Sequence, residues 1–102
     1  MEAEGFGVII EGFIWLTDVI DKIEAKHGLT VLEVESVFTG KPLFSRIEKG
    51  KIKGEDLYRA LGRDYSGRLI AVFFIHKFSR EALIITARDM TVNEKRYYAK
   101  KT

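Results

Sequence analysis

The chain has no cysteine, only two histidines and a single proline. Without cysteine there is no disulfide and no thiolate metal site, and a reducing compartment is compatible. Two histidines, His27 and His76, are too few for a histidine-rich metal site. Long apolar runs are also missing. The longest uninterrupted one, residues 69–75, is far shorter than the ~20 residues that span a bilayer. The first five residues are Met1-Glu2-Ala3-Glu4-Gly5, acidic where a secretory leader would be basic, with no small-residue cleavage pattern after the apolar stretch that follows. A cytoplasmic protein without a membrane partner is the expectation. No glycine spacing fits a dinucleotide or P-loop motif, and no carboxylate spacing makes a catalytic pair or a metal cluster. Neither metal nor cofactor is expected.

What remains is the composition of one small globular domain over residues 1–102: 46% of residues are apolar and 31% charged, enough for one packed core and too apolar for disorder. The net charge is only +2, but it is unevenly spread. Residues 1–50 hold 9 acids against 5 bases, residues 51–102 only 6 acids against 12 bases. A basic second half fits a polyanionic partner such as RNA. It equally fits a solvated surface, because halves of a sequence are not faces of a molecule.

The pattern predicts a first strand over residues 7–15, interrupted at Gly12, and a helix over 17–26. That helix is capped by Thr17, buries a stripe of Leu16, Val19, Ile20 and Ile23, and ends at Gly28. Thr30-Val31-Leu32-Glu33 has the form of a capping box and opens a short second helix with Val34, Val37 and Phe38 on its apolar side. Gly40-Lys41-Pro42 stops it. A strand is expected over 43–47, and a basic, mobile loop over 49–54 that carries Lys51 and Lys53. A meander follows, with strands over 56–63, 68–77 and 82–88. The middle one is apolar on both faces and is expected at the centre of the sheet. Thr91-Val92-Asn93-Glu94 is a second capping box, opening a helix toward Lys100. The fold class is α+β: an antiparallel sheet of four to five strands with two N-terminal helices and one C-terminal helix, the helices on one face.

Arg88 ends the last strand just before a capped helix, a natural place to hold a phosphate. The alternative is an ordinary surface pair with Asp89 or Glu94. Arg63 and Arg68 flank a turn, where two neighbouring cations repel unless an anion lies between them; exposed hairpin arginines are the plain alternative. His27 stands in the last turn of its helix, where the helix dipole favours it whatever else it does. His76 reads as a histidine at the rim of the core. Tyr58 reads as a packing residue, whereas Tyr97 and Tyr98, beside Lys95 and Arg96, are better placed to touch a partner.

The segments Trp15, Lys26-His27-Gly28, Glu33-Val34-Glu35-Ser36-Val37-Phe38, Tyr58-Arg59-Ala60-Leu61-Gly62, Gly67-Arg68-Leu69, Ala87-Arg88-Asp89-Met90-Thr91 and Glu94-Lys95-Arg96-Tyr97-Tyr98 occur in an order that resembles the BrnT toxins, within the wider RelE-like superfamily of toxin–antitoxin ribonucleases. The resemblance implies a small α+β protein that cleaves RNA and arrests translation. It also implies an antitoxin partner with a ribbon-helix-helix DNA-binding domain, the complex repressing its own operon. The family's basic positions correspond to Arg68 and Arg88, and His27 falls where a histidine is common. Many members carry an arginine where this chain has Leu57; Arg59, two residues on and on the same strand face, is placed to substitute.

Metal-free cleavage requires the RNA 2′-hydroxyl to attack the adjacent phosphate, with charge stabilised by arginine or lysine and protons moved by a histidine or carboxylate. Arg88, Arg68 and His27 are the catalytic candidates, and Arg59, Arg63, Lys51, Lys53, Arg96 and Tyr97 the RNA-binding ones. The arginines are expected to gather as an oxyanion cradle where the sheet meets the last helix. A homodimer or a heterotetramer with the antitoxin is the expected assembly. Two other readings stay open: a non-catalytic module that keeps only antitoxin and DNA regulation, and a structural homodimer paired through a strand edge.

Overall fold

Eight elements follow one another along the chain: β1 (Gly12–Ile14), α1 (Thr17–His27), α2 (Val31–Val37), β2 (Leu43–Glu48), β3 (Leu57–Arg63), β4 (Leu69–His76), β5 (Glu81–Asp89) and α3 (Val92–Lys101). They are seen in a computed structural model that describes residues 8–102. The strands make one sheet in the order β1-β5-β4-β3-β2. All neighbours are antiparallel except β1 and β5, which run parallel. The strand expected from residue 7 is therefore short, and its expected start lies outside the described residues.

β4 is the central strand, as its two-sided apolar pattern predicts. That same pattern defeats the expectation of helices on a single face. Ile70, Val72 and Phe74 point to one side of the sheet and pack with Ile23, Val34 and Val37 of α1 and α2. Ala71, with Leu69 and Phe73 beside it, points to the other side and packs with Leu61, Met90 and the α3 tyrosines Tyr97 and Tyr98. A strand apolar on both faces needs cover on both, and α3 supplies the second.

Local rules account for most of the boundaries. Both capping boxes form: Thr30 accepts from the Glu33 amide, Thr91 from the Glu94 amide, and each glutamate returns the bond to the threonine amide. α1 ends at Gly28, whose φ of 62° is the left-handed cap conformation. Its start differs from expectation. Thr17 is the first helical residue, and the N-cap is Leu16, in extended conformation and without a side-chain cap bond. Leu16 is consequently exposed, because helical periodicity does not govern a residue outside the helix. Trp15 ties this junction to α2 through an indole N–H bond of 2.8 Å to Glu35 Oε2. Gly62 brings α2 close: a Cβ there would stand 3.0 Å from Val37 Cγ1.

One irregularity in β5 sets the geometry of everything after it. Phe73 pairs with Thr86, yet Phe74 pairs with Ile84, so Ile85 is an extra residue without a partner. This bulge lets both Ile84 and Ala87, three positions apart, face the α1–α2 core. It also turns Arg88 to the α3 side; unbroken alternation from Ile84 would have pointed it at the core.

The loop over residues 49–54 is anchored at its ends. Asp56 accepts from the Gly50 amide at 2.8 Å and from Arg46 at 3.3 Å, and Glu55 pairs with Lys77. Tyr58 packs, as expected, stacked on Phe74 at 5.9 Å between centroids. His76 sits at the rim, its Nε2 3.0 Å from the Ile9 carbonyl.

Candidate functional site at the junction of β5 and α3

Two charged clusters flank the end of β5, one on each face of the sheet. On the α1–α2 side, Arg68 spends all of its nitrogens internally. Nε and Nη2 donate to the two oxygens of Asp89 at 2.7 and 3.2 Å, and the terminal nitrogens also reach the carbonyls of His27 (2.8 Å) and Gly28 (3.3 Å). Arg68 thus pins the turn after α1 against the end of β5. The Arg68 hydrogen bonds hold the Asp89 carboxyl below its ordinary value of 3.8, outweighing partial burial, and the charges of Lys95 and His27 act in the same direction.

On the α3 side, Arg88 donates from Nη1 and Nη2 to the two oxygens of Glu94, at 2.7 and 3.0 Å. Arg59 brings its Nη1 within 3.5 Å of the same carboxylate. The Glu94 oxygen that takes Nη1 of Arg88 also accepts the Thr91 amide at 2.9 Å, the capping-box bond. Aromatic faces back both guanidiniums: Phe73 lies 5.1 Å from Arg88, Tyr97 5.7 Å from Arg59, and Lys101 approaches the same tyrosine at 5.7 Å. The Nε of Arg59 is buried without an acceptor, an arrangement that costs about 1–3 kcal/mol. Burial pushes the Glu94 carboxyl up, but its bonds to Arg88 and the Thr91 amide and the nearby Arg59 charge more than offset this, and its value falls below the ordinary 4.5.

The expected single cradle is therefore divided. Arg88, Arg59 and Tyr97 come together on the α3 side, Arg68 and His27 on the other. The reason is strand parity. Arg63 pairs with Leu69, so Arg68, one residue before Leu69, falls on the opposite face. Arg63 itself is exposed and bonds the Gly67 carbonyl at 3.2 Å. Each of the two leading arginines is matched to a carboxylate of its own chain, and the capping glutamate occupies the place beside Arg88 where a phosphate was expected. Lys51 and Lys53 are exposed on the loop before β3. Leu57, where that strand begins, lies four residues from Leu61 in the Arg88 row, roughly 13 Å along the sheet. Arg96 is exposed on α3. Among the described residues no three His, Asp or Glu side chains converge as a metal-binding group.

Glu94 and Phe73 were not among the sequence-level candidates. A signal for Glu94 existed: the capping-box acid lies six residues beyond an arginine that ends a strand. Phe73 gave none, because its contact with the Arg88 guanidinium depends on the Ile85 bulge.

Beyond α3 the same face is open. Leu57, Phe73, Ile75, Leu83 and Ile85 are half-buried, and a hollow of about 320 Å³ lies among Leu57, Ile75, Ile85 and the loop carrying Lys49 and Lys51.

These features define a small α+β protein whose charged machinery is concentrated where the last strand hands over to a basic helix. The model of the BrnT family, ribonuclease toxins of type II toxin–antitoxin systems, matches residues 18–94, and the chain belongs to that family. The match includes His27, Arg59, Arg68, Arg88 and Glu94. Family membership brings an RNA substrate and an antitoxin partner. No curated protein matches the chain at a significant level. No helix among the described residues is long and apolar enough to cross a membrane.

Proposed function

We propose that this toxin cleaves RNA without a metal ion at the end of β5, in the cytoplasm, and that a ribbon-helix-helix antitoxin holds it inactive. The observation that carries the reading is the family match across residues 18–94, supported by the pairing of Arg88 and Arg59 on the α3 side of the end of β5. In the reaction the 2′-oxygen bonds to phosphorus and the P–O5′ bond breaks, leaving a 2′,3′-cyclic phosphate and a 5′-hydroxyl. Arg88 and Arg59 stabilise the charge that builds on the phosphoryl oxygens. The 2′-hydroxyl proton passes to solvent and the departing 5′-oxygen takes one up from it, because His27 stands with Arg68 on the opposite face of the sheet. Arg68 supports the site from behind, because its bonds pin the turn after α1 to the end of β5. The open half of the sheet and the exposed Lys51, Lys53, Arg63 and Arg96 track the flanking phosphates.

The alternative is a toxin fold that binds its antitoxin and no longer cuts. The internal pairing of Arg68 and Arg88, and Leu57 at a position where many members carry arginine, favour it. Purified protein incubated with RNA, with and without chelator, separates the two. Cleavage that survives the chelator and yields cyclic-phosphate ends is expected; intact RNA under both conditions selects the binding module.

A further inference from the structure

Glu94 is more than a cap. Its side chain is only 9% exposed, whereas Arg88 and Arg59, which surround it, keep 32% and 20% of theirs in solvent. The negative charge is thus inside the cluster and the positive charges are outside. Two guanidiniums against one carboxylate leave one uncompensated positive charge, and it faces outward. The carboxylate is itself fixed to the backbone by the Thr91 amide. The arginines are therefore held to the first turn of α3 rather than free to follow solvent. Phe73 and Tyr97 stand against the guanidinium faces, a backing that keeps such groups weakly hydrated and oriented.

We infer that Glu94 is a positioning residue, which tethers Arg88 and Arg59 as a pair beside Phe73 and Tyr97, and that this pair is the subsite for one phosphate of an RNA strand. The inference rests on the ribonuclease reading and deepens it. Glu94 does not touch the substrate. It lowers the local charge from two to one and in return holds both guanidiniums in one geometry. Removing its charge should therefore strengthen binding and weaken catalysis, a split that no purely structural role produces.

The test measures binding of a 2′-O-methyl RNA oligomer, which cannot be cleaved, across a series of salt concentrations, and in parallel the cleavage of the unmodified oligomer. Glu94→Gln keeps the capping-box geometry and loses the charge. It should bind about threefold more tightly at moderate salt, with a salt slope steeper by about 0.7, and its kcat should fall by roughly 10- to 100-fold. Glu94→Asp keeps the charge but shortens the reach. Its affinity should stay within about twofold of wild type while kcat falls, and this variant decides the matter if the glutamine protein does not fold. Unchanged affinity and slope in Glu94→Gln, or an unchanged kcat in a well-folded variant of either kind, overturns the inference. Should the wild-type protein cleave nothing, the ribonuclease reading fails, and the binding arm still judges the subsite separately.

Discussion

Arg88 and Glu94 meet in a two-pronged contact, at 2.7 and 3.0 Å, that ties the end of β5 to the first turn of α3. Arg88→Lys keeps a cation beside Glu94 but loses the two-pronged contact, which an ammonium cannot reproduce. The expected result is a protein within about 1 kcal/mol of wild-type stability whose RNA cleavage falls roughly 100-fold. Denaturant melts and initial rates on one RNA check both halves. Acid should act through the same pairs. Asp64, Asp89 and Glu94 all have carboxyls held below their ordinary values of 3.8, 3.8 and 4.5. For Asp64, burial raises the value and is outweighed by bonds from Ser66 and the Arg68 amide. A group that is a stronger acid when folded stabilises the fold fully above its unfolded value. It loses that contribution as pH falls through its folded one. The thermal midpoint should therefore be flat from about pH 7 to 5 and decline below about pH 4. Glu94→Gln should show a shallower decline. A midpoint that instead drops between pH 7 and 6 would remove these three carboxyls as the controlling groups. Arg88, Asp89 and the capping acid were all legible as residues in the sequence. Their pairing was legible only as one of two choices, since a short acidic side chain near an arginine says nothing about which one burial selects.

At the scale of elements, the bulge at Ile85 has the largest consequence. A strand has a side-chain period of two, so a single extra residue exchanges the faces of everything beyond it. Deleting Ile85 should restore strict alternation and force a choice between burying Arg88 and exposing Ile84 and Ala82. The expected cost is at least about 3 kcal/mol, read as a lowered unfolding midpoint, with loss of the Arg88–Glu94 contact. Retention of full stability would mean that β5 tolerates either register. Most elements could be read from the chain to within a residue or two. Thr30, Thr91, Gly28 and the Asp64–Gly67 turn act through neighbours only a few positions away. The exceptions also have local physical causes. Leu16 was counted into a helical stripe although it lies just outside the helix. The parallel pairing of β1 with β5 joins residues some seventy positions apart, which periodicity does not register.

For the whole molecule, the charge asymmetry of the sequence does become a spatial one, but in a modified form. Six of the twelve bases of the second half lie on α3 (Lys95, Arg96, Lys100 and Lys101) and on the loop before β3 (Lys51 and Lys53). They do not form one pool of free arginines. A toxin of this family expressed without its antitoxin should arrest growth, and Arg88→Lys at equal protein levels should relieve the arrest. Colony counts after induction measure this. Undiminished arrest by the folded variant would remove Arg88 from the mechanism. Co-expression of the antitoxin should restore growth.

From the sequence alone came the α+β class, the order and type of nearly every element, the central place of β4, both capping boxes and the family to which the ordered motifs belong. These depend on interactions between residues close in the chain, or on patterns that repeat along it. The tertiary structure decided which face each arginine takes, which carboxylate meets it, and that α3 covers the side of the sheet opposite α1 and α2. Those outcomes depend on strand register and on one unpaired residue in β5. Register is settled only when every pairing across the sheet is satisfied at once.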